Sequence, residues 1–156
     1  MLDALIQILM GGLGTIGFNI LFNIRGRKLF FASLGGFISW AVFLLLEPLL
    51  PGEPLRYFLA AATITIYGEC LARIEKTPTT TFLVPSVIPL IPGGSLYYTM
   101  NFALNKQWGA FVDKAFYTLQ LALSLALGII AVTTLVRLWM VLVRKIQKQK
   151  FLSHFH

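Results

Sequence analysis

Three prolines and two glycines fall at Pro85, Pro89, Pro92, Gly93 and Gly94, inside the apolar stretch FLVPSVIPLIPGGSLYYTM (residues 82–100). Each proline removes a backbone donor and crowds the carbonyl four residues earlier, so a continuous helix does not fit comfortably. A half-helix restarting after the glycines would present amides without intrahelical partners at the positive end of its dipole. A carboxylate or other anion is the natural ligand for such an end. Ser95 is placed to cap the new half-helix, and Gly93 and Gly94 let a ligand approach the backbone. Tyr97 and Tyr98 add hydroxyls and aromatic walls, and Asn101 lies one turn after Tyr97. Pro89, Pro92, Gly93, Gly94, Ser95, Tyr97, Tyr98 and Asn101 are therefore the candidate substrate-binding residues, with Pro85 helping to hold the break open. The competing reading is a proline kink filled by neighbouring helices, without chemistry.

Other polar residues carry weaker signals. Glu69 lies towards one end of an apolar run, where an acid is costly and can carry protons or cations. Arg73 follows four residues later in the favourable order for an ion pair, so Glu69 is either an ion-coupling candidate or a structural partner. Glu47, just before Pro48, reads as an interface residue. Asn19 and Asn23 read as interhelical hydrogen-bond formers, with lining of an entrance as the alternative. Thr63, Thr65 and Tyr67 face a polar cavity or, for the threonines, return their hydroxyls to their own helix.

Enzymatic and cofactor chemistry has little to work with. Both histidines, His154 and His156, are at the chain end, and Cys70 is the one cysteine. No catalytic residue, metal site or cofactor is expected, and GxSxG, HExxH and Walker A patterns do not occur.

The elements that must position the candidate site are set by composition. The 156 residues are 57% hydrophobic and 12% charged, with mean hydropathy +0.78. A soluble domain carries about twice that charge. This is an all-α integral membrane protein in one transmembrane domain (1–156). About five spans are expected, near 2–24, 29–50, 55–74, 80–104 and 115–143, the fourth broken at the Pro/Gly segment. A polar connection covers 105–114 and a basic tail 144–156. The first segment begins with Asp3 and reads as a retained span, not a leader. The small-residue pairs Ala32 with Gly36 and Gly35 with Ser39 predict close helix packing.

Of 13 Lys and Arg, ten fall on one side: Arg25, Arg27, Lys28, Arg73, Lys76, Arg137, Arg144, Lys145, Lys148 and Lys150. The positive-inside rule makes that side cytoplasmic, with the N-terminus outside and the C-terminus inside. The basic excess thus reports topology and membrane lipids; nucleic acid is not expected, because the cations form no stripe with interleaved aromatics. An irregular segment at mid-span must be lined by protein or water, since lipid satisfies no backbone group. Interrupted helices at the midplane hold substrate in secondary transporters.

VIPLIPGGSLYYTM resembles the Pro-rich segment of the threonine/serine exporter family, where a VIP-(L/M)-x-PG core precedes a tyrosine-containing helix. The likeness extends to the five-span layout, the asparagines ending the first helix, and Arg73 before the Pro segment. The length is similar to the small-subunit branch, in which two polypeptides share transport. The resemblance implies export of small amino acids such as threonine and serine, or of dicarboxylates such as succinate, coupled to an ion gradient. It implies a multi-pass protein of the bacterial cytoplasmic (inner) membrane. It also implies a larger partner subunit with a cytoplasmic N-terminal domain, and allows higher oligomers. Such a partner, with five spans of its own, would be inverted relative to this chain. A non-transporting scaffold that stabilises a partner is the first alternative, and an intramembrane enzyme on lipids the second.

Overall fold

The computed structural model describes residues 2–153; His154 and His156 lie outside them. Six α-helices appear in chain order: α1 (Leu2–Leu21), α2 (Arg27–Leu45), α3 (Glu53–Ile74), α4 (Thr80–Val87), α5 (Gly93–Leu104) and α6 (Trp108–Ser153). A short 3₁₀ turn, Ile88–Leu90, joins α4 to the break before α5. Three helices are long and apolar enough to cross a membrane: α1, α2 and residues 108–143 of α6. The pair formed by α4 with its 3₁₀ turn and α5 passes the same test as one span bent by 54°. The chain is thus an all-helical, multi-pass membrane protein with its break in the Pro/Gly segment.

α3 has the length of a span, 22 residues, but is more polar than the others. Its position explains why. It packs against α2, α4 and α6, with Ala60, Ala61, Ile64 and Thr65 fully buried. A helix packed on three neighbours can carry Arg56, Glu69 and Arg73 where partners reach them: Arg56 pairs with Glu47 at 3.7 Å and Arg73 with Glu69 at 3.5 Å.

Two apolar clusters tie the bundle together. One joins Ala32 of α2, Leu71 and Ala72 of α3, and Phe82 of α4. The other joins Phe43 of α2, Tyr57 and Ala60 of α3, Leu90 of the 3₁₀ turn and Leu121 of α6. Between membrane helices the gain comes from close packing and not from expelling water, so small residues matter at the seams. A Cβ at Gly128 would sit 2.5 Å from the Phe58 carbonyl oxygen, so α6 rides directly on the α3 backbone. A Cβ at Gly36 would collide with Thr15 of α1, and one at Gly35 with Ser86 of α4. The small-residue pairs around Gly35 and Gly36 therefore do set helix approach.

The helix ends follow local chemistry. Asn23, Lys76 and Lys106 have φ near +50° to +57° just past α1, α3 and α5. In each case the next amide reaches back five residues: Ile24 to Asn19, Thr77 to Ala72, Gln107 to Phe102. This is the left-handed cap that satisfies the last carbonyls of a helix. The connection expected over 105–114 is shorter than that, because α6 already starts at Trp108. α6 also continues through the basic segment to Ser153, giving 46 residues. At 1.5 Å per residue it is roughly 69 Å long, over twice the hydrocarbon thickness.

Candidate functional site

The prolines act unequally. Pro85 sits inside α4, fully buried, and does not break it. It does leave the Thr81 carbonyl without its usual donor, four residues on. Pro89 would do the same to the Pro85 carbonyl, but the Ile88 amide takes that acceptor as the backbone tightens into the 3₁₀ turn. The chain leaves helical geometry at Ile91 (φ −64°, ψ 124°), and buried Pro92 precedes α5. Of the three prolines expected to hold the break open, Pro92 is the one located there.

α5 begins at Gly93, three residues earlier than a Ser95 cap requires. Ser95 lies within the first turn, makes no capping bond, and accepts the Thr99 hydroxyl at its carbonyl (2.8 Å). The Gly93 amide turns back to the Ile91 carbonyl (2.7 Å), and Leu96 makes the first regular bond, to Pro92. The Gly94 and Ser95 amides are left without backbone acceptors among the described residues. A Cβ built at Gly93 or Gly94 meets nothing within 4 Å, and both glycines are exposed. The start of α5 thus borders space that the described residues leave unfilled.

The remaining candidates sit along α5, which packs chiefly on α6 and buries no residue fully. The Thr99 and Thr118 hydroxyls meet at 3.1 Å across that seam. Tyr97 and Tyr98 stack edge to face at 5.5 Å and are 66% and 53% exposed. Asn101 accepts the Asn105 side-chain amide at both its backbone and side-chain oxygens, 2.9 and 3.0 Å, so it helps close the far end of α5. At helical rise it is about 12 Å from Gly93. Pro89 points another way, against Gly11 of α1, where it lines a cavity of about 230 Å³ with Gln7, Met10 and Trp40. The Trp40 indole N–H is buried without an acceptor among the described residues. The structure therefore groups Gly93, Gly94, Ser95, Tyr97 and Tyr98, and sets Pro89 and Asn101 apart.

Glu69 is remote from the break. Besides Arg73 it accepts the Thr79 hydroxyl at 3.2 Å, and its side chain is 12% exposed. Glu47 is about 20 Å along α3 from it, judged by the 13 residues between Arg56, which Glu47 pairs with, and Glu69. The two acids do not converge. Asn19 donates to Ser33 of α2 at 2.9 Å, an interhelical bond in the buried core. Thr63 and Thr65 return their hydroxyls to Leu59 and Ala61, whereas Tyr67 reaches across to the Phe31 carbonyl (2.7 Å).

One feature was missed from the sequence. A cavity of about 540 Å³ lies between the end of α1 and the start of α4, lined by Phe22, Asn23, Arg25, Lys28, Thr80, Thr81 and Pro85 among others. Its basic residues read in sequence as topology signals, and nothing in the spacing placed them beside the threonines some 55 residues later.

A multi-pass helical protein with one bent span interrupted by proline and glycine, and free amides at the restart, has the architecture of a membrane transporter. A family model described as Threonine/Serine exporter, ThrE, matches residues 7–135, and the chain belongs to that family. No curated protein and no solved structure matches it.

Proposed function

We propose that this chain is the membrane subunit of a secondary transporter that exports small amino acids, threonine and serine first, and small dicarboxylates such as succinate as a second class. It works with a larger membrane subunit bearing a cytoplasmic N-terminal domain, in the bacterial inner membrane, with its own N-terminus outside and C-terminus inside. The observation that carries this reading is the pair of amides at Gly94 and Ser95 without backbone acceptors among the described residues, past a bend of 54° where a Cβ at Gly94 meets no described residue within 4 Å. Unpaired donors in a bilayer need a protein or aqueous partner. An inverted partner half closing over α5 supplies the missing wall, and a substrate carboxylate supplies the acceptor. Tyr97 and Tyr98 then border the site, Pro92 and Gly93 shape the backbone around it, and Asn101 fixes the end of α5. Glu69 is the residue for coupling-ion traffic.

The scaffold reading draws on the same exposure, because α5 would then be a docking helix alone. Replacing Gly94 by Leu separates the two. The new side chain meets open space within this chain, so folding is preserved. Efflux of threonine, serine or succinate from preloaded cells making both subunits should fall at least tenfold, with the complex still assembling. Normal efflux by an assembled Gly94→Leu complex would leave the scaffold reading standing.

A further inference from the structure

The cavity between α1 and α4 brings two cations to one wall. Arg27, Arg56 and Arg73 each pair with a carboxylate. Arg25 and Lys28 pair with none among the described residues, and both line this cavity. Thr80 and Thr81 bring two hydroxyls and the first turn of α4, whose dipole is positive at that end. Thr81 also carries the carbonyl that Pro85 leaves without its donor. Asn23, held in the left-handed region by the α1 cap, completes the polar wall.

The cavity is not isolated. A second one, of about 410 Å³ and almost wholly apolar, shares Phe22 and Val84 with it. That second cavity runs along α1 and α4 past Val87 and Ile88 to Ile91, the residue before Pro92. A polar, cationic chamber therefore adjoins an apolar groove that ends at the break.

We infer that the cavity lined by Arg25, Lys28, Thr80 and Thr81 is a loading vestibule that gathers the carboxylate of the exported solute before it reaches the break. The inference rests on the transport reading and on the orientation that places this end in the cytoplasm. Two unpaired cations lining one open recess raise the local concentration of anions. A dicarboxylate engages both; an amino acid engages them through its carboxylate while its ammonium finds the Thr81 carbonyl. The vestibule thus favours a dianion over a zwitterion, and neutralising the cations costs succinate more than threonine.

The test uses the single native cysteine to advantage. With the exposed Cys70 replaced by Ser, Thr80→Cys is reacted with a membrane-impermeant maleimide in vesicles that expose the cytoplasmic face. Succinate, threonine and serine are each added as protectants. Labelling should slow severalfold, most with succinate, and Arg25→Gln with Lys28→Gln should abolish the protection. In intact exporters the same double substitution should raise the half-saturating internal concentration about tenfold, the low end for a charged cleft, with the maximal rate kept within about twofold. Labelling indifferent to all three solutes would overturn the vestibule even if efflux proceeds. Protection without any efflux would keep the vestibule and defeat the transport reading instead. Protection by phosphatidylglycerol in the vesicles, with none by the solutes, would mark a lipid-headgroup site and also overturn it.

Discussion

Gly128 offers the sharpest test of how this bundle is held. A Cβ there would be 2.5 Å from the Phe58 carbonyl oxygen, 3.0 Å from the Ala61 Cβ and 3.2 Å from the Ala62 nitrogen. Two of these are backbone atoms in the middle of α3 and have no rotamer to yield. Gly128→Ala must push α6 off α3 by roughly 1 Å to restore van der Waals contact. A gap of that size forfeits a quarter to a half of each pairwise attraction along the seam, and overpacking costs about 1–3 kcal/mol. The same substitution gains about 0.8–1.0 kcal/mol in helix propensity. Gly14→Ala is the matched control, because its Cβ meets nothing within 4 Å and it collects the propensity gain alone. The difference between the two variants therefore isolates the clash at about 1–3 kcal/mol. Unfolding in mixed detergent micelles with increasing sodium dodecyl sulfate, followed by far-ultraviolet circular dichroism, measures it. A Gly128→Ala protein as stable as Gly14→Ala would refute the claim that α6 rides on the α3 backbone.

Two further outcomes are expected. Ser33→Ala strands the Asn19 amide, whose Oδ1 is already buried without a partner; it should cost about 0.6–1.7 kcal/mol. Asn19→Leu with Ser33→Ala should recover part of this in the same micelle titration, and strict additivity would show that the pair does not interact. Glu69→Gln should change stability by no more than about 0.5 kcal/mol, since Arg73 is half exposed and its pairing screened. Under the coupling role, efflux by Glu69→Gln should lose its dependence on the imposed ion gradient; retained dependence would leave Glu69 as a structural partner of Arg73 and Thr79.

Several features were legible in the residues because they depend on local chemistry. Apolar runs of span length, the positions of Lys and Arg and the Pro/Gly cluster gave the membrane class and the site of the break. Backbone bonding in a helix is internal, so a segment that cannot form it shows in sequence. The location of the bend at Pro92 was harder to read. Three prolines look equivalent along the chain, but a 3₁₀ turn absorbs Pro89 and the packing around α4 accommodates Pro85. The start of α5 at Gly93 and not at a Ser95 cap depends likewise on how the chain emerges from Pro92.

What the sequence determined by itself is the solvent of the fold and the point at which one span must fail, since both follow from hydropathy and from the missing N–H of proline. Tertiary structure alone decided which polar groups share a space. Arg25 and Lys28 meet Thr80 and Thr81 because α1 and α4 both pack beside α2, an arrangement set by glycines that allow close approach. Likewise α5 leaves Gly93 and Gly94 exposed because, past the bend, it follows α6 and not α1 or α2. No spacing along a chain encodes those neighbours, because helices in lipid choose partners by the shape of their surfaces.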